Sequence, residues 1–185
     1  MKVPGVVVLL ALLTAIASGQ ELDFAAAERR IVRLPPSAFP SLPGTVAKEL
    51  QRRGCTIPQE GISKRLSNVI SGQFARPGQT DWAVLCSVNG SSSILVFWNG
   101  TATDVAEVAR REDRIYLQSL IGNEIAFSRS ISAVGSDVIL THYKAYGGTT
   151  PPPLDHQGID DAFLEKASSV QYFYKGKWLE LTGSD

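Results

Sequence analysis

The densest run of chemistry-bearing side chains is Asp155-His156-Gln157-Gly158-Ile159-Asp160-Asp161. Alternating oxygen donors around a turn-forming glycine suit a hard cation, and Ca²⁺ takes about 6 to 8 oxygen ligands. Asp155, Gln157, Asp160 and Asp161 are the candidate ligands, and Ca²⁺ is the one cofactor the sequence raises. The run lacks the distal bidentate Glu of an EF-hand loop. The competing reading is a turn in which Asp side chains cap backbone N–H groups.

His142 and His156 are the two histidines of the chain. A hydrolytic triad would set one of them beside a serine and a carboxylate. The sequence offers no Gly-x-Ser-x-Gly elbow, and no His-x-x-x-His or Cys-x-x-Cys spacing for zinc. His142 sits in a helical pattern and is expected to pack locally. His156, in the acidic run, is expected to be exposed. Five aromatics, Trp82, Trp98, Tyr172, Tyr174 and Trp178, fall in strand-like segments. Alternate strand side chains face opposite ways, so an exposed Tyr172/Tyr174 face would offer a platform to a sugar or peptide. Half-buried packing is the competing reading.

Compartment decides how several of these residues are read. Lys2, the uncharged apolar run Val6 to Leu13 and the small residues Ala15, Ala17 and Gly19 form a secretory signal peptide over residues 1–19, with cleavage expected after Ala17 or Gly19. The apolar run is shorter than the roughly 20 residues of a spanning helix. No second long apolar segment follows, so the mature chain is expected to have no membrane span. In an exported protein, two cysteines favour a bridge between Cys55 and Cys86 over two thiols. Closing such a loop stabilises a fold by roughly 3 to 4 kcal/mol. Lys plus Arg and Asp plus Glu both number 18, for a net charge of zero. That balance excludes a basic nucleic-acid-binding surface as the main function.

These residues need elements to position them. Residues 20–40, Ala-rich and then Pro-rich, are expected to be extended and poorly ordered, with a short helix near Glu21 to Arg33 as the alternative. Residues 41–185 form a single α+β domain. Its N-terminal helix starts at Ser41 or Pro43, carries Val46, Ala47 and Leu50 on one face, and stops at Gly54. Strands are expected at Trp82 to Val88 and Ser93 to Trp98, with turns at Asn89-Gly90 and Asn99-Gly100. Both turns also spell glycosylation sequons. Val105 to Ala109 fits a strand or a helix. Ile115 to Ile121 and Glu124 to Val134 read as strands. A second helix from Ser136 ends at Gly147-Gly148, before a stiff loop at Thr149 to Pro153. Ala162 to Ala167, Val170 to Tyr174 and Lys177 to Leu181 complete an antiparallel, hairpin-dominated sheet.

Two stretches are faintly alike. Asp81-Trp-Ala-Val-Leu and Asp161-Ala-Phe-Leu-Glu each lead through a Ser-containing turn to an aromatic-ended strand and an X-Gly hairpin. The stretch Gly72-Gln-Phe-Ala-Arg-Pro-Gly-Gln-Thr-Asp81-Trp-Ala-Val-Leu resembles one FG-GAP/VCBS-type blade motif of integrin-like β-propellers, a family whose acidic loop binds Ca²⁺. Here Gln73, Ala75 and Gln79 stand where acidic ligands belong, and Asp81 alone remains. The resemblance implies a loop leading into a strand.

Most of the chain beyond the leader is similar to a family of small exported bacterial proteins. The strings that carry this are Arg53-Gly-Cys-Thr-Ile-Pro-Gln59, Asp81-Trp-Ala-Val-Leu-Cys86, His142-Tyr-Lys-Ala-Tyr-Gly-Gly148 and Asp155-His-Gln-Gly-Ile-Asp-Asp-Ala-Phe163. That similarity brings no activity with it. The leading expectation is an exported, periplasmic or secreted, non-catalytic binding module for an extracytoplasmic protein, peptide or glycan. The alternatives are a Ca²⁺-stabilised structural module and an extracytoplasmic hydrolase using His142 or His156.

Overall fold

Two turns set the hairpins. At Asn89-Gly90 and Lys175-Gly176 both residues take positive φ (51° and 76°; 49° and 78°), which matches the right-handed twist of the strands they join. The computed structural model describes residues 23–63, 65–120 and 124–184. Residues 1–19, read above as a signal peptide, lie outside the described residues. The described chain is an α+β fold of three helices and twelve antiparallel strands in four sheets.

The elements run α1 (Phe24–Arg30), β1 (Arg33–Leu34), α2 (Gly44–Arg52), β2 (Ile57–Pro58), β3 (Val69–Gly72), β4 (Asp81–Val88), β5 (Ser91–Phe97) and β6 (Ala106–Glu112). They continue with β7 (Leu117–Ser119), β8 (Ile125–Phe127), β9 (Arg129–Val134), α3 (Ser136–Tyr146), β10 (Gly158–Phe163), β11 (Ala167–Tyr174) and β12 (Lys177–Thr182). One sheet has the order β3-β4-β5-β6 and the other β12-β11-β10-β9, while β1-β2 and β7-β8 are separate pairs.

The two large sheets pack face to face. Ala83, Leu85, Ile94 and Val96 from the first meet Ile131 and Ile159 from the second, with Phe74 and Phe127 filling the layer. The outer faces are apolar too. On the first sheet, Val84, Cys86, Leu95 and Phe97 are covered by Val46 and Leu50 of α2 and by Phe39 and Leu42. On the second, Val170, Tyr172 and Leu181 are covered by Ile139 of α3. This order of helix, sheet, sheet and helix explains why β4 and β5 are apolar on both faces and show little alternation.

Gly54 stops α2 at φ +70°, and the Cys55 N–H returns to the Leu50 carbonyl at 3.0 Å. Cys55 then bridges Cys86 of β4 with Cα atoms 5.1 Å apart. The bridge and the Thr56–Ser87 backbone pair fasten α2 to the first sheet.

Several elements depart from sequence expectation. The N-terminal segment forms α1, capped by Asp23 accepting the Ala26 N–H at 2.8 Å, and buries Ala27, Ile31 and Phe39. The short-helix alternative holds there, because those apolar side chains close the core. Of Val105 to Ala109, all but Val105 belong to strand β6. Asp113–Tyr116 is a 3₁₀ turn, so β7 begins only at Leu117. Ile121 lies outside the described residues. Ala162 to Ala167 straddles the end of β10, a turn and the start of β11. Ser168 and Ser169 therefore stand in a strand, and the two faintly alike stretches do not share turn positions.

Candidate functional site

The acidic run is not a loop around one centre. From Gly158 onward it is strand β10, paired with β9 and β11, so Asp160 and Asp161 point to opposite faces. Asp161 enters the space between the sheets. There Arg129 Nε and Nη2 donate to its two oxygens, each at 2.8 Å. Asp160 points under α3, its Oδ1 without a partner. Burial pushes its carboxyl above the usual carboxylate range, with Ser168 and His142 pulling it partly back. Gln157 accepts the Gln73 N–H at 2.9 Å, and the Asp155 side chain is exposed. The four expected ligands are not brought together, and among the described residues no group of three or more His, Cys, Asp or Glu is placed to hold a metal. Asp81 is likewise spent on its own loop. It accepts the N–H groups of Phe74 (3.0 Å), Ala75 (2.9 Å) and Asn99 (2.8 Å) and the Gln79 amide (2.6 Å).

The His156 side chain is buried, contrary to expectation. Its ring stacks on Tyr172 with centroids 4.3 Å apart, and its Nδ1 lies 3.0 Å from the Gln157 carbonyl. The Tyr172 hydroxyl accepts the Asp155 N–H at 3.1 Å. This stack pins the end of the Pro-rich loop to the second sheet. His142 lies on α3 with Nδ1 buried and unpartnered. Neither histidine hydrogen-bonds a serine, threonine or cysteine side chain among the described residues.

The five expected aromatics do not share a surface. Tyr172 is fully buried, and Tyr174 packs on the same α3-covered face. Trp82 packs on the outer face of the first sheet. Trp98 and Trp178 stack between the sheets at 5.7 Å, with Phe173 4.9 Å from Trp98. In place of one exposed platform the structure has three separate packing contacts, because these aromatics lie on different faces of the two sheets.

A groove of about 580 Å³ lies elsewhere, between α1, β1, residues 59–61 and 65–66, and β8. Its floor holds Ala27, Ile31, Leu34, Ile125 and Phe127. Val32 and Leu66 stand on its rim with relative exposures of 59% and 63%. Arg30, Arg65 and Glu124 also line it, and none of the three makes an ion pair among the described residues. Glu60 is occupied at home, accepting from the Ile62 and Ser63 N–H groups and the Ser63 hydroxyl. Gly61 keeps this segment tight, since a Cβ there would meet the Ala126 methyl at 2.8 Å.

Sequence reasoning missed this groove because its residues come from three separate stretches, near 27–34, 59–66 and 124–127, and form no motif. The one available signal was the amphipathic pattern around Ala27 and Ile31. No protein-family model, curated protein or solved structure matches the chain. No helix among the described residues is long and apolar enough to cross a membrane.

Proposed function

We propose that this chain is an exported, non-catalytic binding module, and that it holds an extended peptide segment of an extracytoplasmic protein in the groove beside α1. One observation carries the reading. The groove falls within the roughly 300–1,000 Å³ range of ligand sites, and the fold leaves large apolar side chains uncovered on its rim. Charges of both signs on the wall, unpaired among the described residues, suit a peptide, whose backbone and side chains bring both. A glycan would call for exposed aromatic faces, which this groove lacks. Export is supported by the leader pattern and by the Cys55–Cys86 bridge.

Titration with a panel of short apolar peptides, followed by backbone amide shifts, tests the reading. Saturable shifts centred on Ile31, Leu34 and Ile125 are expected. Leu66→Ser should weaken the interaction by about tenfold, the loss that about 1.4 kcal/mol of apolar burial produces. Shifts confined to other faces, or none, would sink it.

A further inference from the structure

The two large sheets are sealed along one edge and parted along the other. At the sealed edge, β3 and β9 are joined by Asn68. At the parted edge lies a second cavity of about 250 Å³, between β6, the 113–116 turn and the inner face of β10, β11 and β12. It shares no lining residue with the groove beside α1.

Its walls are fixed. The Tyr116 ring is covered on one face by the Arg129 guanidinium at 4.7 Å and meets Phe163 edge-on at 5.5 Å. Burial raises the Tyr116 hydroxyl above its ordinary range, with smaller opposing influences from nearby charges, so it remains a donor at neutral pH. Two ionised side chains face this space without pairing. Arg111, from β6, donates to the Arg110 carbonyl at 2.8 Å and forms no ion pair among the described residues. Glu180, from β12, accepts from Gln171 Nε2 at 3.2 Å and likewise forms none among them. Gln171 is itself buried and also donates to Ser169 Oγ at 3.4 Å, so the carboxylate is held in place. The other charge in the lining, Asp161, is neutralised by Arg129. One cation and one anion thus remain in the lining, not within ion-pair distance of each other.

From this arrangement we infer a binding site for a small zwitterion of the size and charge of a free α-amino acid. Its ammonium group meets Glu180, its carboxylate meets Arg111, and an apolar side chain lies against Tyr116 and Phe163. The volume sits below that of drug-sized pockets, which limits the ligand to about one amino acid. Charge-assisted bonds at both ends give the selectivity.

Leucine is a suitable probe, with acetate and butylamine as single-charge controls, followed by backbone amide shifts of the full mature chain. Saturable shifts at Tyr116, Ser169 and Glu180 are expected at millimolar leucine, with both controls at least tenfold weaker. Arg111→Gln and Glu180→Gln should each weaken leucine binding about tenfold. Both positions are exposed, and both variants should fold normally. A double-mutant cycle on unfolding, without ligand, supplies the second arm. Coupling near zero is expected for charges held apart. No leucine response, equal responses to the controls, or strong direct coupling between Arg111 and Glu180 would overturn the site.

Discussion

Two arginines serve the space between the sheets, Arg129 from within and Arg111 from its exposed edge, and they live differently. Arg129, with no exposed side-chain surface, spends every N–H it has. Its guanidinium bonds Asp161 twice, Ser92 O and Oγ at 3.0 and 2.9 Å, and the Ala109 carbonyl at 2.5 Å. Beside it, Asn68 donates to the Pro58 and Arg129 carbonyls at 2.6 and 3.1 Å and accepts the Ile131 N–H at 3.0 Å. Arg111, at the parted edge, makes one bond to its neighbour's carbonyl. The contrast separates polar groups that hold the sandwich shut from polar groups left for something else. A buried ion pair need not stabilise a fold, but breaking one by removing a single partner is costly.

The largest expected effect follows directly. Arg129→Met should cost about 3–5 kcal/mol in urea unfolding, because Asp161 is left buried and uncompensated. A loss within experimental error would erase the distinction between the two edges. Replacing Arg129 by Met and Asp161 by Leu together should recover much of it. Asn68→Ala should cost about 1–3 kcal/mol, since it orphans the buried Ile131 N–H and places Ala at φ +70°. A neutral outcome would mean that the sheets are held by apolar packing alone.

Asp160 sharpens the comparison from the other face of β10, next to the paired Asp161. Its folded-state carboxyl is raised by burial, so the native state binds more protons than the unfolded one between the ordinary value of 3.8 and the raised value. Stability attributable to this group is therefore lost as pH rises through that window. Asp160→Asn should be more stable than the parent at neutral pH, with the gain shrinking below the ordinary carboxylate range. A gain that persists unchanged in acid would assign the effect to something other than ionisation. The smallest effect belongs to the parted edge. Arg111→Gln and Glu180→Gln should each shift stability by no more than about 0.5 kcal/mol, and a larger loss would show that these charges support the fold.

Much of the architecture was legible along the chain. Asn89-Gly90 and Lys175-Gly176 announce two-residue hairpins because few other pairs accept positive φ twice. Gly54 and Gly147 mark helix ends for the same reason. The bridge followed from compartment and cysteine parity. What could not be read was facing. Asp155 to Asp161 looked like a cation loop because acidic residues near a glycine suggest a turn, while the pairing of β10 with two neighbours is a non-local fact. Tyr172 looked exposable because alternation predicts two faces and cannot reveal that a helix covers the second. The groove and the cavity are products of packing between distant segments, and local periodicity carries no trace of either.

The strand β6 contains one surplus residue. Ile94 pairs with Val108 but Ser92 pairs with Arg111, and Ala109 takes φ +52° at the irregularity. That extra step works as a parity switch. With it, Arg111 is addressed to the interior cavity and Arg110 is displaced toward Glu107 on the surface. Removing one residue there would exchange the two addresses and withdraw the Ala109 carbonyl from Arg129. A single codon's worth of chain thus decides which arginine the interior receives.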